Sequence, residues 1–253
     1  MTSKSIRVFE LSEGDIYGPV KPAQNPAFIQ RWFRRLIIGV IWAILILHLY
    51  ALALRFVPVP RTILMVQRAI AGETLRKDWT PIEDISPHLP RSIMGGEDSR
   101  FCEHPGVDLD AIRSAISDNA EGGRRRGGST ISQQAAKNVF LWNGGGYARK
   151  AVEAWFASYV NIVWGKRRTM EIYLNVAEWG DGIFGAEAAA QARFGKPAKD
   201  LTRREAALLA AVLPSPNKWR VDPPSDFVNG RAATLMQRAE VIRTSRYDHC
   251  LNL

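Results

Sequence analysis

Two short segments carry most of the side chains that could do chemistry. The first runs Gly96, Glu97, Asp98, Ser99, Arg100, Phe101, Cys102, Glu103, His104, Pro105, Gly106. It sets a carboxylate pair beside an aromatic ring and a histidine. The second runs Gly127, Gly128, Ser129, Thr130, Ile131, Ser132, Gln133, Gln134, Ala135, Ala136, Lys137, Asn138. It gathers hydroxyls, adjacent amides and a cation at the start of one short helix. A base, hydrogen-bond donors and a positive charge are the parts needed to move a sugar off a phosphate.

Glu97 is the candidate general base, because the attacking sugar hydroxyl must lose its proton to a carboxylate. Its apolar neighbours Ile93, Met94 and Phe101 are expected to desolvate it and raise its proton affinity. Asp98 is placed among the substrate contacts, with orienting or capping as its other role. His104 is assigned to a backbone hydrogen bond. Ser129, Thr130, Gln133, Gln134, Lys137 and Asn138 are candidate substrate contacts, since the N–H groups of a helix start attract phosphate. The same residues would also make a capped polar helix face; the density of uncharged donors favours the phosphate. Further on, Arg149 and Lys150 lie four and three residues before Glu153, the spacings at which helical side chains meet. All three are candidate site residues. Glu153 falls at the border of an apolar stripe, where it could assist the leaving group or orient a diphosphate-bound metal. The alternative, a surface ion pair worth about 0–1 kcal/mol, stays open.

The elements that must hold these groups read as helices. Thr130 with Gln133, and Thr202 with Glu205, make capping boxes. Asp108 can cap a helix through Ile116. Val152, Trp155, Phe156, Tyr159, Val160 and Val163 recur at the spacing of one buried stripe. Residues 121–128, rich in glycine and arginine, read as a mobile basic loop or a solvated turn. The segment 166–175 reads as structural support, with Lys166 and Glu171 a candidate pair.

Residues 36–54 carry no formal charge. At about 1.5 Å per residue this run covers most of a bilayer core of roughly 30 Å. A transmembrane helix is expected over 36–56. Arg31, Arg34 and Arg35 crowd its start, which puts residues 1–35 in the cytoplasm and the remainder outside. Residues 57–84 read as a membrane-proximal linker and 247–253 as a C-terminal tail. The net charge of +9 suits an anionic partner. The absence of zinc-knuckle spacing and of RNA-binding aromatic patterns argues against nucleic acid. The two cysteines, Cys102 and Cys250, form no metal-ligand spacing; a disulfide and two separate thiols are both open.

In order, five segments resemble the peptidoglycan glycosyltransferases. They are the two quoted above; Arg149, Lys150 and Glu153; Lys166 with Met170 to Asn175; and Gly185 to Ala190 through Phe194, Gly195 and Lys196. The chain is similar to the monofunctional, membrane-anchored members. The resemblance implies a mostly α, lysozyme-like domain over 85–246, with a smaller membrane-associated lobe. It implies inverting transfer in which Glu97 activates the 4-hydroxyl of lipid II, and a lipid-linked glycan chain is attacked at its anomeric carbon. Undecaprenyl diphosphate then leaves against Lys137, Arg149 and Lys150. It also implies a divalent metal, Mg²⁺ or Mn²⁺, with Glu153 reaching it through the diphosphate. Membrane lipids and proteins of cell division or wall synthesis are the other expected partners, and the bacterial inner membrane is the expected location. Two departures stand out. The turn at Asn143 to Gly146 lacks an arginine common in the family, and Arg193 replaces a tyrosine before Phe194. A penicillin-binding second activity is not expected: Ser215 to Lys218 and Ser117 to Asn119 come in the wrong order, and no Lys-Thr-Gly follows.

Overall fold

An apolar helix opens the described chain. The computed structural model describes residues 26–120, 128–142 and 144–253. Its contacts divide the chain into Met1–His48 and Leu49–Leu253. Helix α1 runs Pro26–Ala53, ten residues earlier than the uncharged run suggested. Proline suits a first helical position because its missing N–H has no partner to lose there. Phe28–Ala53 is long and apolar enough to cross a membrane.

The last turn of α1 belongs to the second unit. Four carbonyls end any helix without intrahelical partners. Here Trp164 Nε1 donates to the Ala51 carbonyl at 2.6 Å, and Arg168 donates twice to Leu54, at 3.1 and 2.9 Å. The following stretch is no linker. Helix α2, Ile63–Ile70, and the two-residue strand β1, Arg76–Lys77, are built into the unit, with Val59, Met65 and Ile82 buried. Nor is the C-terminus a loose tail. Leu251 is fully buried, Arg91 pairs with Asp248 at 2.7 Å, and Cys250 is disulfide-bonded to Cys102.

The remaining elements are α3 (His88–Glu97), α4 (Leu109–Ala120), α5 (Ile131–Phe140), α6 (Gly146–Val176), β2 (Ile183–Phe184), α7 (Ala186–Phe194), α8 (Arg203–Val212) and α9 (Asp226–Thr244). Strands β1 and β2 pair in parallel, Arg76 opposite Ile183. Both capping boxes form, at Thr130 and Thr202, and Asp108 caps α4 through the Ala111 N–H at 2.9 Å. Helix α6 is broken at Gly165, whose φ of 71° is outside the helical range.

Two hydrophobic cores share the second unit. One, rich in alanine, is built by α3, α7, α8 and α9 with the second half of α6. The other gathers Leu54, Met65, Phe140, Phe156, Val160 and Trp164. Helix α5 serves both: Ile131 and Ala135 enter the first, Ala136, Val139 and Phe140 the second. The expected buried stripe on α6 is split. Phe156 and Val160 are buried, whereas Val152 and Trp155 are exposed, as are Phe56, Ile70 and Ile162.

Candidate active site

Glu97 closes α3. The end of this helix can lie close to α9 because Gly95 precedes it: a Cβ there would stand 2.8 Å from Arg238 Cβ. The Glu97 side chain is 15% exposed. Its Oε2 accepts from Gln134 Nε2 at 2.9 Å, and its Oε1 lies 3.6 Å from an Arg231 nitrogen. Ile93, Met94 and Phe101, expected to desolvate it, are buried in the core, and the partners that the carboxylate meets are polar. A pocket of about 500 Å³ opens beside it, lined by Glu97, Ser99, Arg238, Val241, Ile242 and Tyr247.

Asp98 also borders this pocket but is buried, its carboxylate turned onto His104 and α5. Both of its oxygens lie within 3.1 Å of His104 Nε2, and one accepts from the Ile131 N–H at 3.0 Å. The carboxylate thus sits at the N-terminus of α5, where the macrodipole favours negative charge. His104 accepts from the Gly106 N–H at 3.2 Å, so its role is structural as expected. Gly106 has a φ of 104°, and a Cβ there would stand 2.4 Å from the Ala157 carbonyl, so glycine alone fits. The Gly106 carbonyl accepts from Thr130 Oγ1 at 2.6 Å.

The second segment therefore divides in two. Thr130 and Gln133 are buried and spend their polar atoms on the cap: the Thr130 N–H donates to Gln133 Oε1 at 2.9 Å, and the Gln133 N–H donates back at 3.1 Å. Gln134, Lys137 and Asn138 are half-buried on α5. Gln134 holds Glu97 and also accepts from the fully buried Tyr173 hydroxyl at 3.1 Å. Ser129 accepts from Lys150 Nζ at 2.8 Å.

Glu153 is buried, and Arg149 and Lys150 each take one of its oxygens, Arg149 at 2.5 Å. The ion pair that the spacing offered therefore forms, with the carboxylate buried and the Lys150 side chain 39% exposed. Lys137 feels all three groups: Glu153 favours its charge, and Arg149 and Lys150 oppose it. Burial is the largest influence and lowers its pKa below the ordinary lysine value. Among the described residues no three His, Cys, Asp or Glu side chains come together as metal ligands, and the Glu153 oxygens are already taken by cations. This donor set does not fit a metal held by the protein itself.

Gln134 and Lys137 stand three residues apart on one helix face, about 5–6 Å between Cβ atoms. One turn of α5 thus joins the amide held on Glu97 to the amine that feels Glu153, Arg149 and Lys150. The transglycosylase family model matches residues 65–240.

The chain belongs to the transglycosylase family.

Curated relatives named "Biosynthetic peptidoglycan transglycosylase" are similar over most of it. The one from Rhodospirillum centenum is 46% identical over 226 residues, 89% of this chain and 98% of that protein. The one from Caulobacter vibrioides is 45% identical over 225 residues, 88% and 98%. A third, from Pseudomonas entomophila, is 49% identical over 193 residues, 74% and 82%.

Several expectations for this transglycosylase need correction or fall outside the description. Lys166 does not pair with Glu171; it donates to the His104 carbonyl at 2.6 Å and lies over the Phe101 ring. Glu171 instead takes Arg168 and the Ile82 N–H, and Asn175 bonds both sides of Thr80, so this stretch is indeed structural support. Arg193 donates to the Trp179 carbonyl at 3.4 Å and is not among the charges felt by Lys137. The basic loop (121–127) and Asn143 lie outside the described residues. Tyr173 and Arg231 were not anticipated. Tyr173 sits in a segment read as support, and Arg231 reaches Glu97 from a helix some 130 positions away, a separation of 134 by number.

Proposed function

We propose that this transglycosylase polymerises lipid II into β-1,4-linked glycan strands, with Glu97 as general base. The acceptor 4-hydroxyl gives its proton to Glu97. Its oxygen bonds to the anomeric carbon of the lipid-linked chain, and the bond from that carbon to the phosphate oxygen breaks on the opposite face, inverting the centre. Undecaprenyl diphosphate leaves with the electron pair, its charge met by Lys137, Arg149 and Lys150. The observation that carries this reading is the turn of α5 that joins Gln134, on the base, to Lys137, among the cations. A neutral finished glycan has no use for three cations, which favours synthesis over hydrolysis.

Mg²⁺ or Mn²⁺, where used, is proposed to arrive on the substrate diphosphate, since the protein's own donors are occupied. The apolar α1 suits a membrane anchor, and Arg31, Arg34 and Arg35 in its first turns favour a cytoplasmic N-terminus with the catalytic unit outside the inner membrane. The Cys102–Cys250 disulfide supports an oxidising compartment. The exposed Phe56, Ile70, Trp155 and Ile162 suit contact with lipid.

The test incubates the purified full-length chain and its Glu97→Gln variant with lipid II and, separately, with finished murein. Chain growth by the native enzyme and none by the variant supports the reading. Equal polymerisation by both, or fragments released from murein, overturns it.

A further inference from the structure

Glu97 oxygen Oε2 is held by a side-chain amide, and an amide has two faces of nearly equal shape. Gln134 can present Nε2 or Oε1 to the carboxylate. With Nε2 forward it donates to an anion; with Oε1 forward it sets oxygen against oxygen unless Glu97 carries a proton. What surrounds Gln134 therefore decides which amide atom Glu97 meets. Its other end meets the Tyr173 hydroxyl, which donates to Oε1 at 3.1 Å. A flipped amide would turn an N–H₂ group toward that O–H, two donors meeting, and the phenol would have to redirect its proton.

We propose that Tyr173 is a positioning residue for the transfer reaction: by donating to Gln134 Oε1 it locks the amide with Nε2 toward Glu97, and so keeps the base ready to accept a proton. This rests on Glu97 being the base.

Burial keeps the tyrosine in its donating form. Tyr173 is 1% exposed, and burial, helped by the Glu97 charge, raises its pKa well above the ordinary tyrosine value. The chain of contacts crosses three helices, from α6 through α5 to α3, and each is packed in the first core, through Tyr173, through Ile131 and through Ile93 and Met94. The charged or titratable groups facing Glu97 are Arg231, Arg238 and Tyr247 from α9 and the segment after it, and Tyr173 from α6. Asp98 is its sequence neighbour but is turned onto His104. Arg231 Nε is fixed on the Ala211 carbonyl at 3.1 Å, and this arginine approaches the other Glu97 oxygen at 3.6 Å.

The experiment measures lipid II polymerisation against pH for the native chain, Tyr173→Phe, Gln134→Ala and the double variant, with Glu97→Gln alongside. Phenylalanine keeps the ring and removes only the hydroxyl. The expected result is that Tyr173→Phe moves the acidic limb of kcat toward neutral, lowers kcat about tenfold below that limb and recovers above it, with KM little changed. Gln134→Ala shows the same displaced limb, and Tyr173→Phe adds nothing in its background. An unmoved limb in Tyr173→Phe, a loss equal at every pH, or additive losses in the double variant would each overturn the proposal. Should Tyr173→Phe fail to fold, an unmoved limb in Gln134→Ala overturns it alone. A silent Glu97→Gln with an unmoved Tyr173→Phe profile removes only this inference; a fully active Glu97→Gln removes the reading beneath it.

Discussion

Glu97 and Glu153 are both carboxylates with little exposure, yet they are held in opposite ways. Glu97 keeps 15% of its side chain open and meets one neutral amide and one arginine at 3.6 Å. Glu153 is 3% exposed and bound on each oxygen by a cation. A group that must take up and release a proton needs a route to substrate and an environment that tolerates both states. A group whose charge is fully met does different work: it lets Arg149, Lys150 and Lys137 stand together despite their mutual repulsion. One carboxylate stands open to a pocket, the other is committed to cations.

The contrast can be broken by exchanging charge for a neutral amide at each position. Glu97→Gln is expected to lower turnover by about 10²–10⁴-fold, the usual contribution of a positioned base, while the melting temperature stays close to the native value. A large drop in melting temperature would mean that Glu97, too, is a structural anchor. Lys137→Met is expected to cost about 10²–10³-fold, as for a lost transition-state donor. The pH dependence of Lys137 sharpens this. Only the protonated amine can meet diphosphate, and burial lowers its pKa, so kcat/KM should decline on the alkaline side earlier than an exposed lysine with a pKa of 10.5 would dictate. In Lys137→Arg that limb should vanish; its persistence would assign it elsewhere.

Glu153→Gln should show its first effect in stability, about 1–3 kcal/mol by denaturant unfolding, because three cations lose their counter-charge. Turnover should fall less than in Glu97→Gln. Unchanged stability would erase the distinction between the two carboxylates. The smallest effect on turnover is expected from Cys102→Ala with Cys250→Ala. Losing a bridge across 148 positions should cost about 2–4 kcal/mol of stability, with native polymerisation rates at 25 °C.

Much of the site was legible because its rules are local. The capping boxes at Thr130 and Thr202 form as their spacing dictates, and Glu153 meets Arg149 and Lys150 because residues three and four apart share a helix face. Local rules also misled. Thr130 and Gln133 looked like donors for a ligand, but the capping box takes up the Thr130 hydroxyl and the Gln133 side-chain oxygen. The α6 stripe divided although it lies wholly before the Gly165 break: Phe156 and Val160 enter the core, whereas Val152 and Trp155 stay exposed, because apolar spacing does not say how wide a face the neighbouring helices cover. Lys166 stands five residues from Glu171, off the shared face, and found the His104 carbonyl instead.

The sequence by itself determined the chemistry on offer: an apolar first helix, helical elements with named caps, and an ordered set of carboxylates, amides and cations. Each follows from propensity, charge or spacing within a few residues. Only the tertiary structure decided which of those groups face one another. Tyr173 reaches Gln134, Arg231 reaches Glu97, and Cys102 finds Cys250 because α3, α5, α6 and α9 converge on shared cores. Such contacts depend on how helices pack, and no pattern of neighbouring residues along the chain encodes that directly.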